Sequence, residues 1–309
     1  MTQGVNDDGN EPDGSGAGGA LAHDRQDARA LLPIGLPSGP KVEAIWRFEV
    51  RTPTLPPATH TNVYILGEGD LVVVDPASPY PEEQAALARV IAERTAAGER
   101  VAAIFLSHQH IDHVSGAAAL GRTTGAPILA HPQTAKRLAG RIAVDTTIEE
   151  GARLPVGGRQ VEAIFTPGHA PGHLCLLDRG SGALVCGDMV ASVGTILIDT
   201  EDDGDMAIYL ASLARMRTLG LRCLLPAHGP PIWNADEHLA FYIAHRLQRE
   251  AKALAALGAE PRALDALVPI VYADADPAIY PLARRSLRAH LDKLVHEGRA
   301  RAVDGGWTV

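Results

Sequence analysis

Apolar runs of strand length recur along the chain, separated by stretches with helical spacing. "VEAIWRFEV" (42–50), "TNVYIL" (61–66) and "DLVVVD" (70–75) come first. "PEEQAALARVIAERTAAG" (81–98) opens on Pro, carries acids in its first turn and closes on Gly, the punctuation of a helix. "VAAIFLS" (101–107) is continuously apolar, as a strand covered on both faces would be. The pattern then predicts a strand at 126–131, a helix at 132–140 and strands at 159–168, 173–178 and 182–188. In 205–220, Met206, Tyr209, Leu210, Leu213 and Met216 form a helical stripe closed by Gly220. A strand running into a loop (221–231) and a long helix (about 236–257) follow. The fold class expected is mixed α/β, with two sheets between layers of helices.

Gly258 to Pro261 breaks this rhythm. "RALDALVPIVYADAD" and "YPLARRSLRAHLDKLVHEG" read as two helices, and "RARAVDGGWTV" as a hairpin around "DGG". Helices followed by a hairpin suit a winged helix. The expected organisation is therefore a tail and linker over 1–41, a main domain over 42–257 and a winged-helix-like unit over 258–309. The segment 1–27 is rich in Gly, and six acids there face only Arg25. It cannot bury enough apolar surface to offset its ordering entropy, so it reads as disordered.

Hydrophobic residues make up 46% of the chain and aromatics only 4%, so the core rests on Ala, Leu, Val and Ile. The net charge of −9 disfavours general nucleic-acid binding, which needs a positive footprint. In the C-terminal unit seven basic residues meet seven acids; a nucleic-acid role there would rest on Arg284, Arg285 and Arg288, which otherwise read as a solvated helix face. No apolar run is long enough for a membrane helix, and the N-terminus lacks the pattern of a signal peptide. Cys175, Cys186 and Cys223 sit in or beside apolar runs without Cys-x-x-Cys spacing, as buried reduced thiols of a cytoplasmic protein would.

"FLSHQHIDHVSG" (105–116) changes the picture, because it places His108, His110, Asp112 and His113 just after a buried strand. Imidazole and carboxylate groups suit a borderline cation such as zinc, and four ligands so close hint at more than one metal. Three later strand ends repeat the theme: "FTPGHAPGH" carries His169, "ALVCGD" carries Asp188 and "LLPAHGPP" carries His228. One such His is usually just hydrogen-bonded. Five His and two Asp delivered to strand ends of one sheet edge are not explained that way.

"SHQHIDHVSG" resembles the His-x-His-x-Asp-His signature of the metallo-β-lactamase superfamily, and "TPGHAPGH", "CGD" and "PAHGP" continue the likeness over roughly 42–257. The resemblance implies an αβ/βα sandwich with a two-metal site. His108, His110 and His169 would hold one ion, Asp112, His113 and His228 the other, and Asp188 would bridge them. Asp75 and His173 would support the ligands from behind. Ser107 and Ser115 depart from the usual Thr and Gly without removing a ligand. Implied cofactors are two divalent ions, zinc first, with iron or manganese as alternatives. "GTILIDTEDDGDMAIYLASLARM" and the helical tail further resemble the group around β-lactamase-like protein 2, whose members carry a winged helix. The implied activity is hydrolysis by a metal-bridging hydroxide, with Asp112 also able to relay a proton. A thioester, ester or lactone, small or carrier-bound, is the expected substrate. The alternatives are an endoribonuclease acting on single-stranded RNA, a mononuclear-iron sulfur dioxygenase and a non-enzymatic winged-helix binder. Tyr209 and Trp233 are expected in the core or at the surface rather than against substrate.

Overall fold

Strands that are apolar at every position need cover on both faces, and a four-layer arrangement supplies it. The computed structural model describes residues 30–35 and 41–309, so most of the expected tail lies outside the described residues. The first sheet holds β1 (Leu32–Gly35), β2 (Lys41–Arg51), β3 (His60–Leu66), β4 (Asp70–Val74), β5 (Arg100–Phe105), β6 (Ile128–Ala130) and β7 (Thr146–Thr147) in that order. Pairing is antiparallel from β1 to β4 and parallel from β4 to β7. The second sheet has the order β11-β10-β9-β8, built from β8 (Val161–Phe165), β9 (Leu174–Asp178), β10 (Ala183–Gly187) and β11 (Cys223–Pro226).

The helices are α1 (Pro81–Ala96), α2 (Ile111–Val114), α3 (Ala117–Thr124), α4 (Pro132–Leu138), α5 (Met206–Arg217), α6 (Ala235–Ala255), α7 (Leu264–Val271) and α8 (Tyr280–His296). In β4, Leu71 and Val73 pack outward on Leu87 and Ile91 of α1, while Val72 and Val74 pack inward on Leu174, Leu176 and Val185 of the second sheet. On the far side Leu177, Leu184 and Leu224 meet Tyr209 and Leu213 of α5 and Leu239 of α6. Each such side chain contributes about 1.5–3 kcal/mol on burial. The mixed α/β sandwich expected from the sequence is the fold observed. The C-terminal helices and the hairpin β12 (Arg301–Val303) and β13 (Gly306–Thr308) follow it, with Leu267, Leu287 and Leu291 packed on the end of α6.

Three differences from the sequence reading have physical causes. Residues 32–35, placed in the linker, form edge strand β1; Ile34 is buried beneath it, and Pro33 is tolerated because an edge needs fewer ladder bonds. The segment after β5 is not a plain loop, since α2 and α3 begin within it. Gly116 in it is required by contact: a Cβ there would lie 2.4 Å from the Pro76 carbonyl oxygen. Finally, β7 has only two residues, too few for any periodicity to show.

Candidate metal centre

The parallel strands end at one edge of the sandwich, and the chain's ligand-type residues follow those ends. Asp75 follows β4, and His108, His110, Asp112 and His113 follow β5. His169 lies in the turn after β8, Asp188 directly after β10 and His228 just past β11. Gly168 gives His169 its place: φ is +129°, and a Cβ there would lie 2.3 Å from the backbone of Tyr209.

The seven residues fall into two sets, His108, His110, His169 and Asp188 in one, Asp112, His113 and His228 in the other. Within each set one ligand atom per residue lies within 4.8 Å of the rest. In the first, His110 Nδ1 is 2.9 Å from both His108 Nε2 and His169 Nε2, which are 3.3 Å apart. Asp188 faces both sets. Its Oδ2 is 3.6 Å from His169 Nε2, and its Oδ1 is 3.4 Å from His113 Nε2 and 3.3 Å from His228 Nε2. Asp112 lies 3.9 Å from His113 Nε2 and 3.7 Å from His228 Nε2.

The hydrogen bonds behind these rings fix which nitrogen carries the proton. His169 Nδ1 donates to the Leu197 carbonyl (2.9 Å) and His228 Nδ1 to the His60 carbonyl (3.0 Å). His113 Nδ1 donates to Asp75 Oδ2 (3.0 Å), whereas His110 Nε2 only faces the Asp202 carboxylate, 2.8 Å from Oδ2, and makes no hydrogen bond. Ser107 Oγ donates to Asp75, leaving it to accept from His108 Nδ1 at 2.9 Å. A neutral imidazole has one N–H, so when neutral the four rings bonded from behind turn a lone pair inward, and His110 points Nδ1 the same way. Lone pairs crowded at about 3 Å repel unless a cation lies between them. The spacing also matches the roughly 3.3 Å edge of a tetrahedron with metal–nitrogen bonds near 2.0–2.1 Å. His113 Nε2 and Asp188 Oδ1 are buried without hydrogen-bond partners, as ligand atoms would be. The donor set fits a pair of divalent cations.

Electrostatics differ between the sets. Burial holds His108 far below its ordinary pKa and brings His169 down to about 4, so these rings stay neutral. Burial is the largest single influence on His113 and His228 and opposes their charge, but Asp188, joined by Asp112 and Asp75 at His113 and by the His60 carbonyl at His228, raises both. Burial works against Asp188 too, yet His113 and His228 hold it well below the usual carboxylate range. Cations binding there would displace protons.

His173 belongs to neither set. It bonds the Thr166 hydroxyl and accepts from the Asp188 backbone N–H at 3.2 Å, so it props up Asp188 from behind. Tyr209 donates to the Met189 carbonyl inside the core, and Trp233 packs beside the inter-sheet core, so neither lines the cavity over the site. Asp202 was not singled out from the sequence: its acid-rich stretch reads as an ordinary turn, and only the fold brings it to His110. The cavity holds about 700 Å³, with the ligand set as its floor. Residues 53–58 form one wall, 193–197 another, and side chains of α6 and α8 a third. All three thiols are buried; burial pushes Cys175 to about 12 and Cys223 to about 11, and raises Cys186 well above the usual thiol range. Among the described residues no helix is long and apolar enough to cross a membrane.

Comparison with known proteins accords with this geometry. A family model for the metallo-beta-lactamase superfamily matches residues 56–228, and one for the beta-lactamase associated winged helix domain matches 263–307. An atrochrysone carboxyl ACP thioesterase of Aspergillus fumigatus is 30% identical over 204 residues, 64% of this chain and 59% of its own length. The beta-lactamase-like protein 2 homolog of Drosophila melanogaster is 28% identical over 78% of this chain and 84% of its own. A beta-lactamase domain protein from Burkholderia ambifaria shares the fold with a TM-score of 0.74 at 21% identity, covering 86% of this chain and 91% of that one. The chain spans about 60% of the length of the fungal relatives it matches.

Proposed function

The chain belongs to the metallo-beta-lactamase superfamily, and from that premise we propose a dinuclear metal-dependent hydrolase acting on a carrier-bound acyl thioester. The observation that carries this reading is the ring nitrogens of five histidines converging around Asp188, at the floor of a cavity large enough for an acyl chain. His108, His110 and His169 would hold one cation and Asp112, His113 and His228 the other, with Asp188 shared. Zinc suits this donor set best, and iron or manganese also fit it. Bound there, the ions would supply Lewis acidity and a water acidic enough to act as hydroxide near neutral pH.

The chain's own groups do the rest. Asp75, Asp202 and two backbone carbonyls orient the imidazoles, so the floor needs no rearrangement when substrate arrives. Asp112 faces the cavity between His113 and His228, where its carboxylate can take a proton from the attacking water and return it to the departing sulfur. A thiol is acidic enough to leave with little protonation, which suits a thioester. Covalent catalysis by cysteine has no support, since every thiol is buried and held protonated. Thioesterase names among the relatives favour this substrate over a lactone. No observation favours RNA: Arg284, Arg285 and Arg288 are each paired with a carboxylate, Asp265, Asp199 and Asp292 respectively.

Metal analysis of the purified protein, followed by thiol release from acyl-pantetheine and acyl-carrier thioesters, tests this reading. Two metals per chain are expected, and a chelator should abolish turnover that added metal restores. One iron per chain with sulfur oxidation, or RNA cleavage without thioester turnover, would overturn it.

A further inference from the structure

Arg246 is a buried cation without an anion. It projects from α6 into the wall of the cavity, is 3% exposed, and makes no ion pair among the described residues. Its Nη2 donates to the Ile196 carbonyl, while Nε has no partner. The neighbouring cations are satisfied: Arg249 and Lys252 hold Asp274, Arg285 holds Asp199, and Lys293 holds Glu250. A guanidinium withdrawn from water normally finds a carboxylate or phosphate, and its planar fork is shaped for one.

Its position is tied to the reacting centre. The Ile196 carbonyl takes Arg246, and the next carbonyl, Leu197, takes Nδ1–H of His169. Consecutive residues are 3.8 Å apart, so the guanidinium lies within about 10 Å of the His169 ring. That reach suits a short acyl chain ending in a carboxylate. The phosphate of an extended pantetheine arm lies farther from its sulfur.

We propose that Arg246 is a specificity residue: it binds a free carboxylate at the far end of the substrate's acyl group. The proposal rests on the thioesterase reading and narrows its substrate to acidic acyl chains. Arg246 then acts in recognition, while the metal floor acts on the thioester carbon.

The test compares glutaryl and pentanoyl thioesters of N-acetylcysteamine on the metal-loaded full chain. Wild type should prefer the glutaryl substrate in kcat/KM by about tenfold or more. Arg246→Gln should cut that preference about 10- to 100-fold, chiefly through KM for the glutaryl thioester, and Arg246→Lys should keep part of it. Losing both substrates equally would mean a merely structural guanidinium and overturn the proposal. Should Arg246→Gln not fold, as judged by its melting transition, the wild-type preference and the Lys variant still decide. Calorimetry with glutarate and pentanoate separates the two readings. Arg246-dependent glutarate binding without any thioester turnover keeps the subsite and removes the thioesterase. Equal binding of the two acids by wild type removes the subsite whatever is hydrolysed. A preference for acyl-phosphopantetheine over acyl-pantetheine that needs Arg246, with none for glutaryl, would replace the carboxylate by a phosphate and overturn the proposal as stated.

Discussion

Asp75 has φ +48°, a left-handed conformation that costs a residue with a side chain about 1–3 kcal/mol. Three hydrogen bonds hold it there: its carboxylate accepts from Ser107 N at 2.8 Å, Ser107 Oγ at 2.6 Å and His113 Nδ1 at 3.0 Å. The last bond holds the His113 ring so that Nε2 is aimed at Asp188. Asp75→Asn preserves size but replaces one acceptor oxygen with a donor, so His113 loses its fixed tautomer. Metal affinity should fall about 10- to 100-fold, the usual cost of losing such a support, read by competition with a chromophoric chelator. An unchanged affinity would reduce Asp75 to a turn residue, the other reading its strand-end position allows. The proposed ligands were legible because each follows an apolar run directly. Asp202 was not, because an acid in "DTEDDGD" looks like any solvated turn until the fold sets it 2.8 Å from His110.

Helix α8 carries a second buried titratable group. His290 has no hydrogen-bond partner at either ring nitrogen. Burial first, then Arg246, Lys293, Arg249 and His245, holds it far below its ordinary pKa, so it is neutral in the fold. In the unfolded chain it takes up a proton near pH 6.5. Its contribution is therefore fully present above about pH 6.5 and is lost as pH falls, at up to about 1.4 kcal/mol per pH unit. His290→Leu should narrow the gap in stability between pH 7.5 and pH 5, measured by urea unfolding of wild type and variant in parallel. An identical acid loss in both would show that other groups set it. Helix α8 itself was readable, with its opening Pro and closing Gly, and so were the strand cores. The short α2 was not: four residues carry no period.

Across the whole molecule, a run of contacts joins the C-terminal unit to the metal floor. Arg285 of α8 binds Asp199 through Nε at 2.7 Å and also through Nη2. Asp199 shapes the following turn: its Oδ1 accepts from Glu201 N at 3.1 Å and its carbonyl accepts from Asp202 N at 3.1 Å. That turn presents Asp202 to His110 Nε2. Helix and hairpin patterns announced a winged-helix-like unit, but nothing in local periodicity could place Arg285 against a residue 86 positions earlier. The consequence is measurable. Arg285→Ala leaves Asp199 buried without its cation, so the turn should loosen and His110 should lose its fixed partner. Affinity of the set containing His110 should drop about tenfold, a loss of the size expected when a ligand's supporting partner is freed, while the set containing His113 holds its metal. Stepwise metal titration followed by thioester turnover reads both effects. If both affinities survive, the C-terminal unit only walls the cavity. If the first alone weakens, the unit also positions a ligand, and removing it would cost the centre a metal as well as a wall.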